Sequence, residues 1–109
     1  MAKRNGKTRM SGGLKARLAS SVRQNRRETV YKMLLRRQDC VPCFVCTRHV
    51  EEDKASLEHV IPLAHGGTDE MDNLSISHAL CNQLRGDLLA DSDEFMALRA
   101  ALIADPKYN

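Results

Sequence analysis

The sequence predicts a small α+β domain, stabilised by zinc and preceded by a basic helical arm. Three observations carry that expectation. First, 109 residues suffice for one domain and little more. With no Trp, two Phe and two Tyr, the core must be thin, a condition under which small domains rely on a metal or a disulfide. Second, Cys43-x-x-Cys46 is followed, after 31 intervening residues, by His78-x-x-Cys81. Third, charge is unevenly spread. Residues 1–37 hold 12 Lys and Arg against one acid, Glu28, whereas the rest of the chain holds 5 against 13. That asymmetry points to an arm that binds a polyanion, nucleic acid above all, rather than to a merely solubilising tail.

Taken in order, residues 1–13 are rich in Lys, Arg, Gly and Ser and lack apolar periodicity, so a disordered basic tail is expected there. Residues 14–39 form the arm. Leu14, Leu18 and Val22 follow one helical face and Val30, Tyr31, Leu34 and Leu35 another. The polar break at Gln24–Arg27 fits either one long helix or two. Arg23, Arg26, Arg27 and Arg37 fall on exposed faces suited to phosphates. The helix must end before Pro42, which disfavours helical geometry in the residue ahead of it.

Residues 40–105 make the folded domain. A charged loop over 47–54 precedes a strand over 55–61, rich in β-branched residues and stopped by Pro62. The Gly66-Gly67 loop follows. Leu74–Ser77 alternates as a second strand. A helix over 78–89 has Ser77 as a candidate cap. A last helix, capped by Asp91 or Ser92 with Glu94 placed for a capping box, buries Phe95, Leu98 and Leu102 and ends at Asp105-Pro106.

The thiol use follows from context. No apolar run follows the basic N-terminus, and no stretch approaches a membrane span. A cytoplasmic, reducing location without membrane association is therefore expected, and metal binding rather than disulfides. Thiolate and imidazole donors suit tetrahedral Zn²⁺. Cys43 and Cys46 converge in a turn, while His78 and Cys81 share one face of a helix start. Four protein ligands leave no open position, so the zinc is expected to be structural, pinning the knuckle to the helix. Cys40 also stands three residues from Cys43. It is expected to be a spare thiol, with His49 a weaker substitute ligand.

The segments CFVC, LEHVIPLAHGGTDEMDNL and HALCNQLRG together resemble the HNH endonuclease family, with its ββα-metal motif. The resemblance covers well under half of the chain. It implies hydrolysis of phosphodiester bonds with His59 as the base that activates water, a role suited to an imidazole near neutral pH. It implies that Glu58, where the family more often has Asp or His, binds a catalytic divalent ion, Mg²⁺ or another such as Mn²⁺ or Ni²⁺. Asn82 is then the second ion ligand through its amide oxygen. Asn73 is the central Asn that holds the loop, and Arg85 a phosphate contact. His78 departs from the family's usual second CxxC.

One geometric tension stands out. Neighbours on a regular strand face opposite ways, so Glu58 and His59 can serve one site only if the strand twists, bulges or ends there.

The expected activity is divalent-metal-dependent, weakly specific nicking of DNA, with Arg23, Arg26 and Arg27 gripping the backbone. Family habit adds a bacterial or phage source and a possible partnership with phage packaging machinery. A non-catalytic zinc module that binds nucleic acid would explain the ligands and the charge, though not the joint match at Glu58, His59, Asn73, Asn82 and Arg85. An RNA-directed nuclease fits equally well.

Overall fold

The structure, a computed structural model, describes residues 12–108, with side chains from 21 to 107. Of the tail expected over 1–13, residues 1–11 lie outside these, as do the side chains of Leu14 and Leu18, while Gly12 and Gly13 already belong to the first helix. Helix α1 (Gly12–Gln38) leads to a short turn Glu52–Lys54, strand β1 (Ala55–His59), turns Leu63–His65 and Met71–Asn73, strand β2 (Leu74–His78), helix α2 (Ala79–Arg85) and helix α3 (Asp93–Ala104). The α+β class and the ββα order β1–β2–α2 are those the sequence predicts.

Helix α1 runs unbroken through the polar stretch at 24–27. Val30 and Tyr31 are buried and Leu34 packs on the core, while Val22 is 54% exposed and Leu35 40%. The second half of the arm is thus anchored on the domain. The Tyr31 hydroxyl donates to Val50 O at 2.7 Å. The helix stops where Asp39 turns to φ 59°, three residues before Pro42.

Strands β1 and β2 pair antiparallel, Ala55 opposite His78, Leu57 opposite Ile76 and His59 opposite Leu74. A lone two-stranded hairpin is marginal in water. Here α1 and α2 both pack on it, and Ile76 is fully buried. Strand β1 ends at His59, two residues short of the expected Ile61. The reason is that Asn73 takes over the backbone beyond: Val60 N–H donates to Asn73 O and Ile61 N–H to Asn73 Oδ1.

Helix α2 is shorter than expected, because Gly86 adopts φ 57°, ψ −124°, a conformation open in practice to glycine alone. Ser77 does not cap it. His78 occupies the N-cap position without a side-chain cap bond, and Ser77 is fully buried elsewhere. Ser92 caps α3, accepting from Phe95 N–H at 3.1 Å, which leaves Glu94 one position short of a capping box.

Helix α3 closes the domain over the knuckle at Cys43–Cys46. Phe95 is fully buried and Leu102 nearly so. Arg99 donates to Val45 O at 2.9 Å and Phe44 O at 2.6 Å, and Arg48 donates to Leu102 O and Ile103 O at the end of α3. The two arginines thereby serve carbonyls of the knuckle and of the helix end. Among the described residues no helix is long and apolar enough to cross a membrane.

Candidate metal centre and active-site cleft

The knuckle brings the first pair of ligands together by backbone chemistry. Thr47 N–H donates to Cys43 O at 2.8 Å and Cys43 N–H to Arg48 O at 2.7 Å. A bridge between Pro42 and His49 closes the turn. The amides of Cys46 and His78 both point at Cys43 Sγ, each at 3.4 Å.

Cys43, Cys46, His78 and Cys81 converge so that one donor atom from each lies within 4.8 Å of every other. His78 Nδ1 is 3.5 Å from Cys46 Sγ and 3.8 Å from Cys81 Sγ. Zinc bonds of about 2.3 Å to sulfur and 2.0–2.1 Å to nitrogen put a tetrahedral S–N edge near 3.6 Å, so the quartet fits zinc. The tautomer fits too. His78 Nε2–H donates to His49 O at 3.1 Å, which leaves Nδ1 with the lone pair a metal needs. Burial holds the His78 imidazole below its ordinary range, which keeps it neutral, and pushes the Cys43 and Cys81 thiols up.

His49 itself is occupied structurally. Its Nδ1 accepts from Val41 N–H and its Nε2 pairs with Glu51. Cys40 is half-buried and stands outside the quartet, and all four cysteines are free thiols.

The cleft lies at the other end of the hairpin. Its walls are Leu57, Glu58 and His59 of β1, Pro62–Ala64, and Asn82, Gly86 and Asp87, enclosing about 250 Å³. Asn82 Nδ2 donates to Ser56 Oγ at 2.9 Å and Leu57 O at 3.1 Å. With the nitrogen turned to β1, the amide oxygen is the arm left for the cleft. His59 Nε2 is 2.8 Å from Asp69 Oδ1. Asn73 Oδ1 accepts from Ile61 N–H, and its Nδ2 donates to Ile61 O at 3.0 Å and Thr68 O at 2.8 Å. One buried side chain therefore ties both ends of the loop over 61–68. His65 is exposed and does not line the cleft.

Two of the expected site residues, Glu58 and Arg85, are buried together. Glu58 is 2% exposed. One carboxylate oxygen accepts from Ser77 Oγ at 2.7 Å and the other from Arg85 Nη1 at 2.7 Å. The strand is regular through this pair, so Glu58 turns inward while His59 faces the loop, and the longer side chain of Glu carries its carboxylate to Arg85.

Arg85 is not placed to meet a phosphate. It is 1% exposed, donates to Leu88 O, His59 O and Val60 O as well, and stacks on Phe44 and Phe95 at 5.4 and 5.0 Å. Its work is to hold the end of β1 against α2. Glu58 and Asn82, the pair expected to hold a catalytic ion, both line the cleft, and Ser77 and Arg85 engage the Glu58 oxygens there.

The arm arginines divide as well. Arg23 and Arg27 line a groove of about 340 Å³ between α1 and β1, with Ser56, Leu57 and Ala79. Leu57 lines both this groove and the cleft. Arg26 Nη1 instead donates to Asp69 O.

Sequence reasoning missed Asp69, Arg99 and Arg48. Asp69 was readable only as one of several loop acids, since its meeting with His59 depends on how Asn73 folds the loop. The family model described as HNH endonuclease matches residues 43–88, a span that runs from the first zinc ligand past Arg85. No curated protein sequence matches the chain.

Proposed function

We propose that the chain, whose residues 43–88 match the HNH endonuclease family model, hydrolyses phosphodiester bonds of DNA. The observation that carries this reading is the cleft, where His59 and Asn82 stand together and which shares Leu57 with an arginine-lined groove. The imidazole takes a proton from water as the water attacks phosphorus. Arg23 and Arg27 neutralise backbone phosphates lying in their groove, a contact that positions without reading sequence. Weakly specific nicking follows, because the described chain offers one such cleft.

A divalent ion belongs to the proposal. Asn82 and Asp87 both line the cleft, and their side-chain oxygens are hard donors of the kind Mg²⁺ and Mn²⁺ prefer. Bound there, the ion would supply charge stabilisation for the phosphate oxygens. Glu58 is left out of this donor set because Arg85 and Ser77 engage both its oxygens.

That same engagement favours a second reading, a zinc-stabilised module that binds nucleic acid without cutting it. Relaxation of supercoiled plasmid by zinc-loaded protein separates the two. With Mg²⁺, Mn²⁺ or Ni²⁺ added, nicked circles that vanish in His59→Ala support the nuclease. Intact plasmid retarded in the gel supports the binding module, and cleavage of a labelled RNA in preference to plasmid redirects the substrate class.

A further inference from the structure

We propose that Asp69 is a positioning residue, which fixes the His59 imidazole with its proton on Nε2 and leaves Nδ1 as the atom that accepts a proton in the cleft. The proposal rests on the reading of His59 as the base.

The geometry leads to it directly. His59 Nε2 and Asp69 Oδ1 are 2.8 Å apart. An ionised carboxylate can only accept, so Nε2 must donate, and a neutral imidazole then has its lone pair on Nδ1. The hydrogen bond from His59 holds the Asp69 carboxyl below the usual carboxylate range, with the charge of Arg26 adding to it, so the acid is ionised wherever the protein is folded near neutrality.

The acid is also held by its neighbours. Thr68 O is tied to Asn73 Nδ2 at 2.8 Å, Glu70 N–H donates to Thr68 Oγ at 3.3 Å, and Arg26 of α1 donates to Asp69 O. A free loop would let the carboxylate swing into water. Here the carbonyls of both Thr68 and Asp69 are pinned, one by the central Asn and one by the basic arm. The arm that lines the nucleic-acid groove thus also steadies the residue that orients the base. The logic matches the acid–imidazole pairs of hydrolases, in which a carboxylate selects the tautomer without itself taking the proton.

The Asp69 side chain is 63% exposed, so its removal should leave the fold alone. The test is long-range ¹H–¹⁵N NMR of the imidazoles in the full, zinc-loaded chain, beside steady-state cleavage of plasmid. The unaltered protein should show the His59 signature of an Nε2-protonated ring. Asp69→Ala should lose that preference, with kcat falling at least about tenfold, KM little changed and the melting temperature retained. Asp69→Asn, whose amide can donate to the ring and favour the opposite tautomer, should be no more active than Asp69→Ala. An Nδ1-protonated His59 in the unaltered protein, or an Asp69→Ala variant with unchanged tautomer and kcat, overturns the proposal. Full activity in His59→Ala would instead overturn the reading of His59 as base, and the NMR signature would still report on the pair.

Discussion

Arg85 Nη1 stands 2.7 Å from Glu58 Oε2, in an ion pair whose side chains are 0% and 3% exposed. Its surroundings satisfy both partners: Ser77 donates to the other Glu58 oxygen, three backbone carbonyls accept from Arg85, and the faces of Phe44 and Phe95 lie beside the guanidinium. Breaking such a pair strands a buried charge, which costs about 3–5 kcal/mol. A domain of this size has stability of only about 5–15 kcal/mol in total. Glu58→Gln and Arg85→Met are therefore each expected to lower urea-unfolding stability by several kcal/mol, while the double change recovers much of the loss. Mn²⁺ binding per folded molecule, read by electron paramagnetic resonance, should be unchanged in Glu58→Gln. If Glu58 were an ion ligand, the pattern would reverse, with Mn²⁺ binding lost and stability kept.

The zinc quartet yields a prediction about protons. Burial raises the Cys81 thiol, with the neighbouring Cys43 and Cys46 adding to the shift. Burial also raises Cys43, against the lowering effect of the backbone amides. In the metal-free fold both are protonated at neutral pH, so zinc uptake must displace their protons. Because these pKa values are raised on folding, the thiols favour the metal-free fold below the ordinary thiol range near 8.5. That contribution is lost as pH rises above it. The zinc-loaded form behaves oppositely and tightens with pH. His78, lowered by burial, adds a competing proton only in acid. Titration calorimetry in buffers of different ionisation enthalpy should show at least about two protons released per zinc at pH 7. Buffer-independent heats would mean that the thiols are already ionised.

What was legible in the sequence was local. Ligand spacing gave the quartet because a knuckle and one helical turn each fix two donors without help from afar. The hairpin and the α3 face were readable from periodicity. Glu58 shows the limit. As a residue type beside His59 it invites an ion, but strand alternation turns it inward, and the cation that meets it lies 27 residues away. Asp69 was hidden for the same reason, since only the folded loop delivers it to His59. Arg99, which caps knuckle carbonyls from α3, carries no signal that separates it from a solvated helix charge.

Thr47 offers a gain in stability. It sits at φ 73°, a left-handed conformation that a β-branched residue adopts at a cost of about 1–2 kcal/mol. The knuckle enforces it through the bond from Thr47 N–H to Cys43 O. The side chain is exposed, so nothing is lost by removing it. Thr47→Gly should stabilise the zinc-loaded protein by about 0.5–1 kcal/mol, the relief of strain less the extra freedom glycine gains when unfolded. Thr47→Ala, which keeps a Cβ, should gain less. Chemical denaturation of the three proteins side by side decides it. Equal midpoints would mean that the strain is absorbed elsewhere.

The loop between the strands makes the sharpest distinction between stability and catalysis. Asn73 spends its side chain on three bonds to Ile61 and Thr68. At roughly 1 kcal/mol each, Asn73→Ala should cost about 3 kcal/mol. Asn73→Asp should be worse, since a carboxylate would face the carbonyls of Ile61 and Thr68 with no proton to offer. Gly67 tests the same closure from the other side. Its N–H donates to Pro62 O at 3.0 Å, and a Cβ there would stand 1.8 Å from Ile61 O, so Gly67→Ala must push the part of the loop carrying Thr68 and Asp69 away from Ile61 and Pro62. The zinc quartet lies across the hairpin from this loop, so Gly67→Ala is expected to retain zinc, measured by metal analysis, while losing plasmid nicking and the His59 tautomer preference together. A Gly67→Ala protein that holds zinc and nicks normally would show that the loop can close by another path, and that the catalytic geometry does not depend on the contact between Gly67 and Ile61.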